Sequence, residues 1–299
     1  MKKTKLILTL LVRDEEDIIE HNICYHLSHG VDFIIATDND SSDSTKKILQ
    51  KYESMGKLLL INEKEHNYNQ SKWVSRMASI AIKDYGATHL IHCDADEFWV
   101  PKGGNLKKHL PEFGDLYYAT RVHYVPSLQP AENNSDKINF SHFEYIIISL
   151  FGQEKLKFVK PKQIFFSATP YKIITTNEVQ NIPTGNHDVI DDSHKLKKIE
   201  TTEVRVFHFP IRSYSQFEQR VINGGTAALK VKDKRVLTHI RNWYADYLNG
   251  NLYEVYKELA LDGDIEKYLE ENLIQKMRVP FGINYALEIY KIKSFLKLL

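Results

Sequence analysis

Residues 5–12 form a continuous apolar run, the pattern of a strand covered on both faces. The run turns at once into Arg13-Asp14-Glu15-Glu16-Asp17, an acidic start suited to the positive end of a helix, with Asp14 as the expected N-cap. Ile19, Ile23 and Leu27 then recur at spacing four, and Gly30 supplies the stop. Residues 31–37 read as a second strand. Ser42 or Asp43 caps a helix that carries Ile48, Leu49 and Tyr52 and stops at Gly56. Residues 57–61 read as a third strand. Residues 70–85 read as a longer helix with Trp73, Met77, Ile80 and Ala81 inward, and residues 88–93 as a fourth strand. This alternation predicts an α/β fold with a largely parallel sheet and right-handed crossovers. After about residue 100 short strands replace it, expected at 115–125, 145–150, 162–167 and 203–209. A polar loop is expected at 129–142, and helices from about 214 onward.

Ligands of parallel sheets sit beyond the carboxyl ends of the strands. Those ends are Arg13-Asp14-Glu15, Asp38-Asn39-Asp40, Glu63-Lys64-Glu65 and Asp94-Ala95-Asp96, and three of the four are rich in carboxylates. Asp94 and Asp96 follow an apolar strand and are spaced so that both can reach one hard cation if the chain turns there. Such a cation can bridge diphosphate oxygens. The same pair can equally cap a turn. Asp38 can accept hydrogen bonds from a base or ribose, or can merely cap the Ser41–Thr45 stretch. The first strand–helix turn holds neither Gly-x-Gly-x-x-Gly nor a phosphate-loop Gly-Lys-Ser/Thr, which argues against a dinucleotide enzyme and a P-loop kinase.

Composition changes this picture little. The 299 residues include 40 basic and 39 acidic ones, a net charge of +1, so nothing draws the chain to nucleic acid as a whole and any anion must be held locally. Cys24 and Cys93 lie in apolar segments, and a reducing, cytoplasmic setting is the simplest reading. The apolar run at 6–12 is too short, and its flank too charged, for a signal peptide, and no stretch reaches the length of a membrane span. Near the C-terminus, Tyr285, Ile289, Ile292, Leu296 and Leu299 fall on one helical face beside Lys291, Lys293 and Lys297. Segment 284–299 therefore suits the inner face of an anionic membrane, and equally a partner or the protein's own core.

Several longer motifs resemble a known family. They are Leu11-Val12-Arg13-Asp14-Glu15; Tyr25-His26 with Gly30-Val31-Asp32; Asp38-Asn39 with Ser41, Asp43 and Thr45; and Gln70-Ser71-Lys72-Trp73-Val74 with Arg76. His92, Asp94-Ala95-Asp96-Glu97-Phe98-Trp99, Gly185-Asn186-His187 and His208-Phe209-Pro210 with Arg212 continue the match. Together they resemble family 2 glycosyltransferases, over roughly residues 6–230. The resemblance implies a GT-A type fold, a Rossmann-like mostly parallel sheet with a smaller mixed sheet and a helical C-terminal segment. Residues 1–100 would be the nucleotide half, 101–230 the acceptor half and 231–299 an extension. It implies that Arg13, Asp14, Glu15, Asp38, Asn39, Arg76 and Asp94 surround a nucleotide. Asp94, Asp96 and His208 would meet Mn²⁺ or Mg²⁺, although strand alternation would also put His208 among core valines. Asp188, then His187, are the candidates for the base an inverting transfer needs. Arg212, Trp99 and Arg121 are candidates for phosphate or acceptor contacts, and Tyr118, Tyr124 and Trp243 for stacking. The expected reaction moves a sugar from a nucleotide-sugar donor, UDP-linked, to a glycan, lipid-linked or small-molecule acceptor. The alternatives are a nucleotidyltransferase and a catalytically silent glycan-binding homologue.

Overall fold

The computed structural model describes residues 3–298 apart from 65–68, 114, 127, 129–137, 151–152, 155–158, 161–162, 180, 190–195 and 232–236. The expected alternation is present. β1 (Leu6–Val12), α1 (Ile19–Ser28), β2 (Phe33–Asp38), α2 (Thr45–Ser54), β3 (Leu58–Asn62), α3 (Gln70–Lys83) and β4 (His89–Asp94) follow one another. β5 (Glu97–Pro101), β6 (Asp115–His123), β7 (Tyr145–Ile147), β8 (Tyr171–Thr176) and β9 (Lys197–His208) come next. The chain then runs through α4 (Tyr214–Leu229), α5 (Thr238–Leu248), α6 (Leu252–Leu259), α7 (Ile265–Glu270), β10 (Ile274–Lys276), α8 (Phe281–Asn284) and α9 (Ala286–Phe295).

One eight-stranded sheet has the order β3-β2-β1-β4-β8-β6-β9-β5, and β10 and β7 form a second, two-stranded sheet. The first four strands are parallel. β8 then runs antiparallel to both β4 and β6, β6 is parallel to β9, and β5 is antiparallel to β9. The fold is thus a parallel α/β half continued by a mixed half.

Side-chain alternation divides the sheet into two faces. Leu8, Leu10, Ile91, Cys93, Ile174, Val206 and Trp99 lie on one, packed with Ile19, Ile23 and Tyr25 of α1 and Tyr290 of α9. Ile7, Ile35, Leu90 and Ile173 lie on the other, under Val74, Met77 and Ala81 of α3. Fully burying an aliphatic side chain of this kind contributes roughly 1.5–3 kcal/mol. A third cluster, with Phe165, Phe217, Trp243, Tyr256 and Tyr268, joins α4–α7 to the mixed half. α4 and α5 cross closely there, since a Cβ on Gly225 would stand 2.2 Å from the Tyr244 ring.

Some expectations are corrected. Asp14 does not cap α1, which begins at Ile19. Asp14 has φ of 52° and its carboxylate accepts from Ser42 instead. Part of the strand expected at 162–167 is a short 3-10 turn, Ile164–Phe166, because the Gln163 and Ile164 carbonyls accept from Phe166 and Ser167. The loop expected at 129–142 falls largely outside the described residues. β5 and β8 lie outside the strands that the pattern predicts. The segment after 230 is not helix alone: β10 pairs with β7, and α9 packs on α1 through Ala286 and Tyr290. Trp99, Tyr124 and Trp243 are buried in the cores and not presented to a ligand.

Candidate active site

A cavity of about 460 Å³ opens at the carboxyl ends of β1 and β4, the size range of small-molecule sites. Its first wall comes from the parallel half: Arg13, Asp14, Glu15, Asn39, Gln70 and Trp73. These residues are held by loop-to-loop bonds. Ser41 and Thr45 side chains accept from the Asp14 and Glu15 amides at 3.0 and 2.8 Å, and Asp43 accepts from the Glu16 amide at 3.0 Å. In return the Ser42 amide donates to Asp14 at 2.7 Å. The Ser/Asp-rich stretch after β2 is therefore a brace for the turn after β1.

The Asp94-Ala95-Asp96 turn joins β4 to β5. Asn22, fully buried in α1, donates to the carbonyls of Ala95 and Glu97 at 2.9 and 2.8 Å and fixes its course. One turn later in α1, His26 accepts from the Trp99 amide at 3.2 Å. Burial lowers His26 to a pKa of about 3, so its ring is neutral and can accept. The two aspartates leave this turn toward different partners. Asp94 meets Lys172 of β8 at 2.8 Å. Asp96 meets His208 Nε2 at 3.2 Å and Arg220 of α4 at 3.3 Å. Burial alone would raise Asp96, but His208, Arg220 and Arg212 outweigh it and hold the carboxyl well below the usual carboxylate range.

The second wall is the mixed half, and it is basic. Lys172, Arg121, His123, His187 and His208 line it, and α4 closes it with Arg220, Asn223, Gly224 and Ala227 at helical spacing. On the strands these residues continue the apolar α1-facing side of the sheet, so the face that is aliphatic at its centre becomes ionic at its end. Lys172 is fully buried between Asp94 and Glu97, the latter at 3.0 Å, and donates to the Gly185 carbonyl at 2.9 Å. Burial would lower its pKa, but the two carboxylates raise it, so the ammonium stays charged. Asn223 donates to Asp14 at 2.5 Å and ties α4 across the cavity mouth to the first wall.

His187 lines the cavity with its Nδ1 at 2.7 Å from the Tyr171 carbonyl. A carbonyl can only accept, so the proton sits on Nδ1 and Nε2 carries a lone pair. Burial, with help from Lys172 and Arg121, lowers this histidine to about 4. Gly185 has φ of 91°, and a Cβ there would lie 2.7 Å from the His187 ring, so only glycine leaves the ring its place.

Several candidates lie elsewhere. Asp188 does not line the cavity: it is bound to the Tyr118 hydroxyl at 2.5 Å and to Lys198 at 2.8 Å near the surface. Asp38 is buried and accepts from the Ser41 hydroxyl at 2.5 Å, which makes it part of the brace. Its neighbour Asn39 lines the cavity, with a buried side-chain oxygen that accepts no bond among the described residues. Arg76 pairs with Glu63 at 3.1 Å, outside the cavity lining. Arg212 lies outside the cavity lining, its buried guanidinium taken up by Glu15 and by Asp17 at 2.6 Å. Burial, with the neighbouring carboxylates Asp96 and Asp17, raises Glu15 to about 8 against the pull of Arg212. Trp99 is core.

The sequence pattern does not single out Lys172, His123, Arg220 or Asn223, although His123 falls within the strand expected at 115–125. Lys172 had a signal, a lysine inside an apolar strand, since such a lysine is rarely buried without a partner. Arg121 and His123 alternate on β6 and so share a face.

Among solved structures, S. aureus TarS residues 1–349 is similar at 10% identity, over 90% of this chain and 77% of that one, with a TM-score of 0.37. Glucosyl-3-phosphoglycerate synthase from Mycobacterium tuberculosis, in complex with Mn²⁺, uridine-diphosphate and glucosyl-3-phosphoglycerate, is similar at 13%. That match spans 75% of this chain and 78% of that one, with a TM-score of 0.37. Likenesses at these scores are of chain course alone. No curated protein matches the sequence. The motifs resemble family 2, but the family model that matches is glycosyltransferase family 92, over residues 11–248. That match spans most of the chain and both walls of the cavity. The protein is a glycosyltransferase, and the chain belongs to glycosyltransferase family 92.

Proposed function

We propose that the protein transfers a sugar from a nucleotide-sugar donor, UDP-linked, to the hydroxyl of a glycan, lipid-linked or small-molecule acceptor, with inversion. The observation that carries this reading is the polarity of the cavity. An acidic, amide-rich wall suits a base and ribose, and a facing basic wall suits a diphosphate. Asn39, Asp14 and Glu15 would meet the nucleoside, and Lys172, Arg220 and Arg121 the phosphates.

A divalent ion, Mn²⁺ or Mg²⁺, fits the pair Asp96 and His208. Two ligands of an octahedral ion at about 2.1 Å and at right angles lie about 3.0 Å apart. The Asp96–His208 separation is 3.2 Å. Among the described residues no three His, Cys, Asp or Glu side chains converge on one point, so the remaining positions would fall to diphosphate oxygens and water. Asp94 would join only by leaving Lys172. An ion held there would offset charge on the departing diphosphate. His187 would take the acceptor's proton on Nε2 as the acceptor oxygen bonds to the anomeric carbon and the bond from that carbon to the diphosphate breaks. Donor nucleotides screened by thermal shift with Mn²⁺ test the reading. UDP or a UDP-sugar should raise the midpoint most. No shift with any nucleoside diphosphate, or pyrophosphate release from a nucleoside triphosphate, would overturn it.

We further propose contact with the inner face of an anionic membrane through the C-terminal helix. Ile292, Phe295, Leu296 and Leu298 are 59, 87, 55 and 67% exposed beside the exposed Lys291 and Lys297. Cosedimentation with phosphatidylglycerol vesicles, lost in F295S/L298S and absent with phosphatidylcholine, is the expected result. Equal binding by that variant would count against it. No helix of the described residues is long and apolar enough to cross a membrane.

A further inference from the structure

Two motifs that stand far apart in the sequence meet behind His187. Gln70-Ser71-Lys72-Trp73-Val74 opens α3, and Gly185-Asn186-His187 follows β8. The Gly185 amide donates to the Gln70 side-chain oxygen at 3.2 Å, across 115 positions of chain. The Ser71 hydroxyl donates to the Ile182 carbonyl at 2.6 Å, and the Ile182 amide donates to the Ser75 hydroxyl at 3.0 Å. Ser71 and Ser75 are four positions apart and so share one face of the helix. Ile182 is itself fully buried, in the cluster that holds Val74 and Ala78 of α3. The start of α3 therefore grips the chain from Ile182 to Gly185 by its side chains.

The backbone beyond that grip needs holding. Gly185 and Asn186 both have positive φ, 91° and 57°. A residue other than glycine persists in the left-handed region only where its surroundings fix it, asparagine more readily than most. The Asn186 amide donates to the Pro183 carbonyl at 3.3 Å and closes a turn. Lys172 holds the Gly185 carbonyl at 2.9 Å while Gln70 holds the Gly185 amide. Gln70 belongs to the parallel wall of the cavity and Lys172 to the mixed wall, so the turn is held from both sides. His187 comes next in the chain. If the turn relaxed, its Nδ1 would leave the Tyr171 carbonyl that sets its tautomer.

We propose that Gln70 is a positioning residue, which acts through Gly185 to keep His187 in place with its Nε2 bare for the acceptor's proton. This rests on the reading of His187 as the base proposed above. The property that matters is an acceptor oxygen at the end of the Gln70 side chain.

The test uses the full chain with ¹⁵N-labelled histidine and two variants: Q70M, similar in size without an acceptor oxygen, and Q70E, which keeps one. Long-range ¹H–¹⁵N spectra of wild type should show His187, identified by its loss in H187Q, as a single Nδ1–H tautomer. Q70E should match it, and Q70M should move the two ring nitrogens toward averaged shifts. UDP release from UDP-glucose, UDP-galactose and UDP-N-acetylglucosamine serves as the assay. There kcat should fall about 10-fold to 100-fold in Q70M, the order expected when a reacting group is misplaced by about 1 Å. The calorimetric Kd for UDP should not change. In an H187Q background Q70M should cost little more, because both changes act on one group. A denaturant melt of each variant separates this from lost packing. If the His187 signals of Q70M equal those of wild type, or its loss adds in full to that of H187Q, Gln70 does not act through His187 and the base reading stands. A UDP affinity that falls in step with kcat would make Gln70 a donor contact and overturn the proposal. If H187Q keeps full activity, the base reading falls and the proposal with it.

Discussion

The two walls of the cavity are built in opposite ways. The parallel wall draws its groups from adjacent loops, Arg13–Glu15 and Asn39, braced by Ser41, Asp43 and Thr45 less than forty residues away in the chain. The bracing bonds are short-range and mostly to backbone amides. The mixed wall is assembled from β6, β8, β9 and α4, and its charges compensate one another at long range: Lys172 with Asp94 and Glu97, Arg220 with Asp96. The first wall can lose a group and keep its shape, because the loop bonds are many. The second cannot, because each buried charge there has few partners.

The largest effect should follow from removing the centre of the second wall. Lys172→Met strands Glu97, which is fully buried, and Asp94 beside it. Breaking a buried pair from one side costs about 3–5 kcal/mol. Chemical denaturation should show a loss of that order, and K172M/E97Q should recover part of it. A K172M midpoint within error of wild type would mean that the second wall is as tolerant as the first.

Next in size is the assignment of the base. His187→Gln should lower kcat by roughly 10²-fold to 10⁴-fold. Asp188→Asn, on the outer side of the same loop, should change it only a few-fold. His187 has a pKa of about 4 in place of the ordinary 6.5 or so. It takes up its proton only below that value, so activity governed by it should stay level as pH falls to about 5 and drop near 4. An acid limb near 6.5 in the free enzyme, or a D188N loss equal to that of H187Q, would reassign the base.

This contrast also explains what could be read from the chain. The parallel half was legible because its period is local: β1 to β4 fall within a few residues of their expected positions, and Asp14, Glu15 and Asn39 stand at strand ends by topology alone. Asp38 stayed ambiguous because an acid at a strand end looks the same whether it turns to a ligand or to Ser41. The pairing of Arg212 was illegible because its partners, Glu15 and Asp17, lie some two hundred positions upstream. Lys172, His123 and Arg220 escaped notice for the same reason. Their meaning comes from register pairs such as His123 with His208, which no local pattern encodes. The strands that carry Lys172 and His123, β8 and β6, lack the flanking helices that announced β1 to β4.

The smallest effect separates neighbours on the first wall. Asp38→Ala removes the acceptor for Ser41 and should cost roughly 0.5–1.5 kcal/mol of stability while leaving the nucleotide dissociation constant unchanged. Asn39→Ala should do the reverse, weakening nucleotide binding by a similar amount with little change in the melt. Interchanged results would return Asp38 to the ligand.

The central claim is that Asp96 and His208, set among the cations of the mixed wall, hold the charged part of the donor together with a divalent ion. Calorimetric titration of UDP into wild type, D96N and H208A, each with and without Mn²⁺, tests it most directly. Wild type should bind UDP about tenfold or more tightly with Mn²⁺, as loss of one charge-assisted contact implies. D96N and H208A should lose that gain while still melting as folded proteins. Equal UDP affinity with and without Mn²⁺ in wild type, or a full Mn²⁺ effect in both variants, would contradict the account.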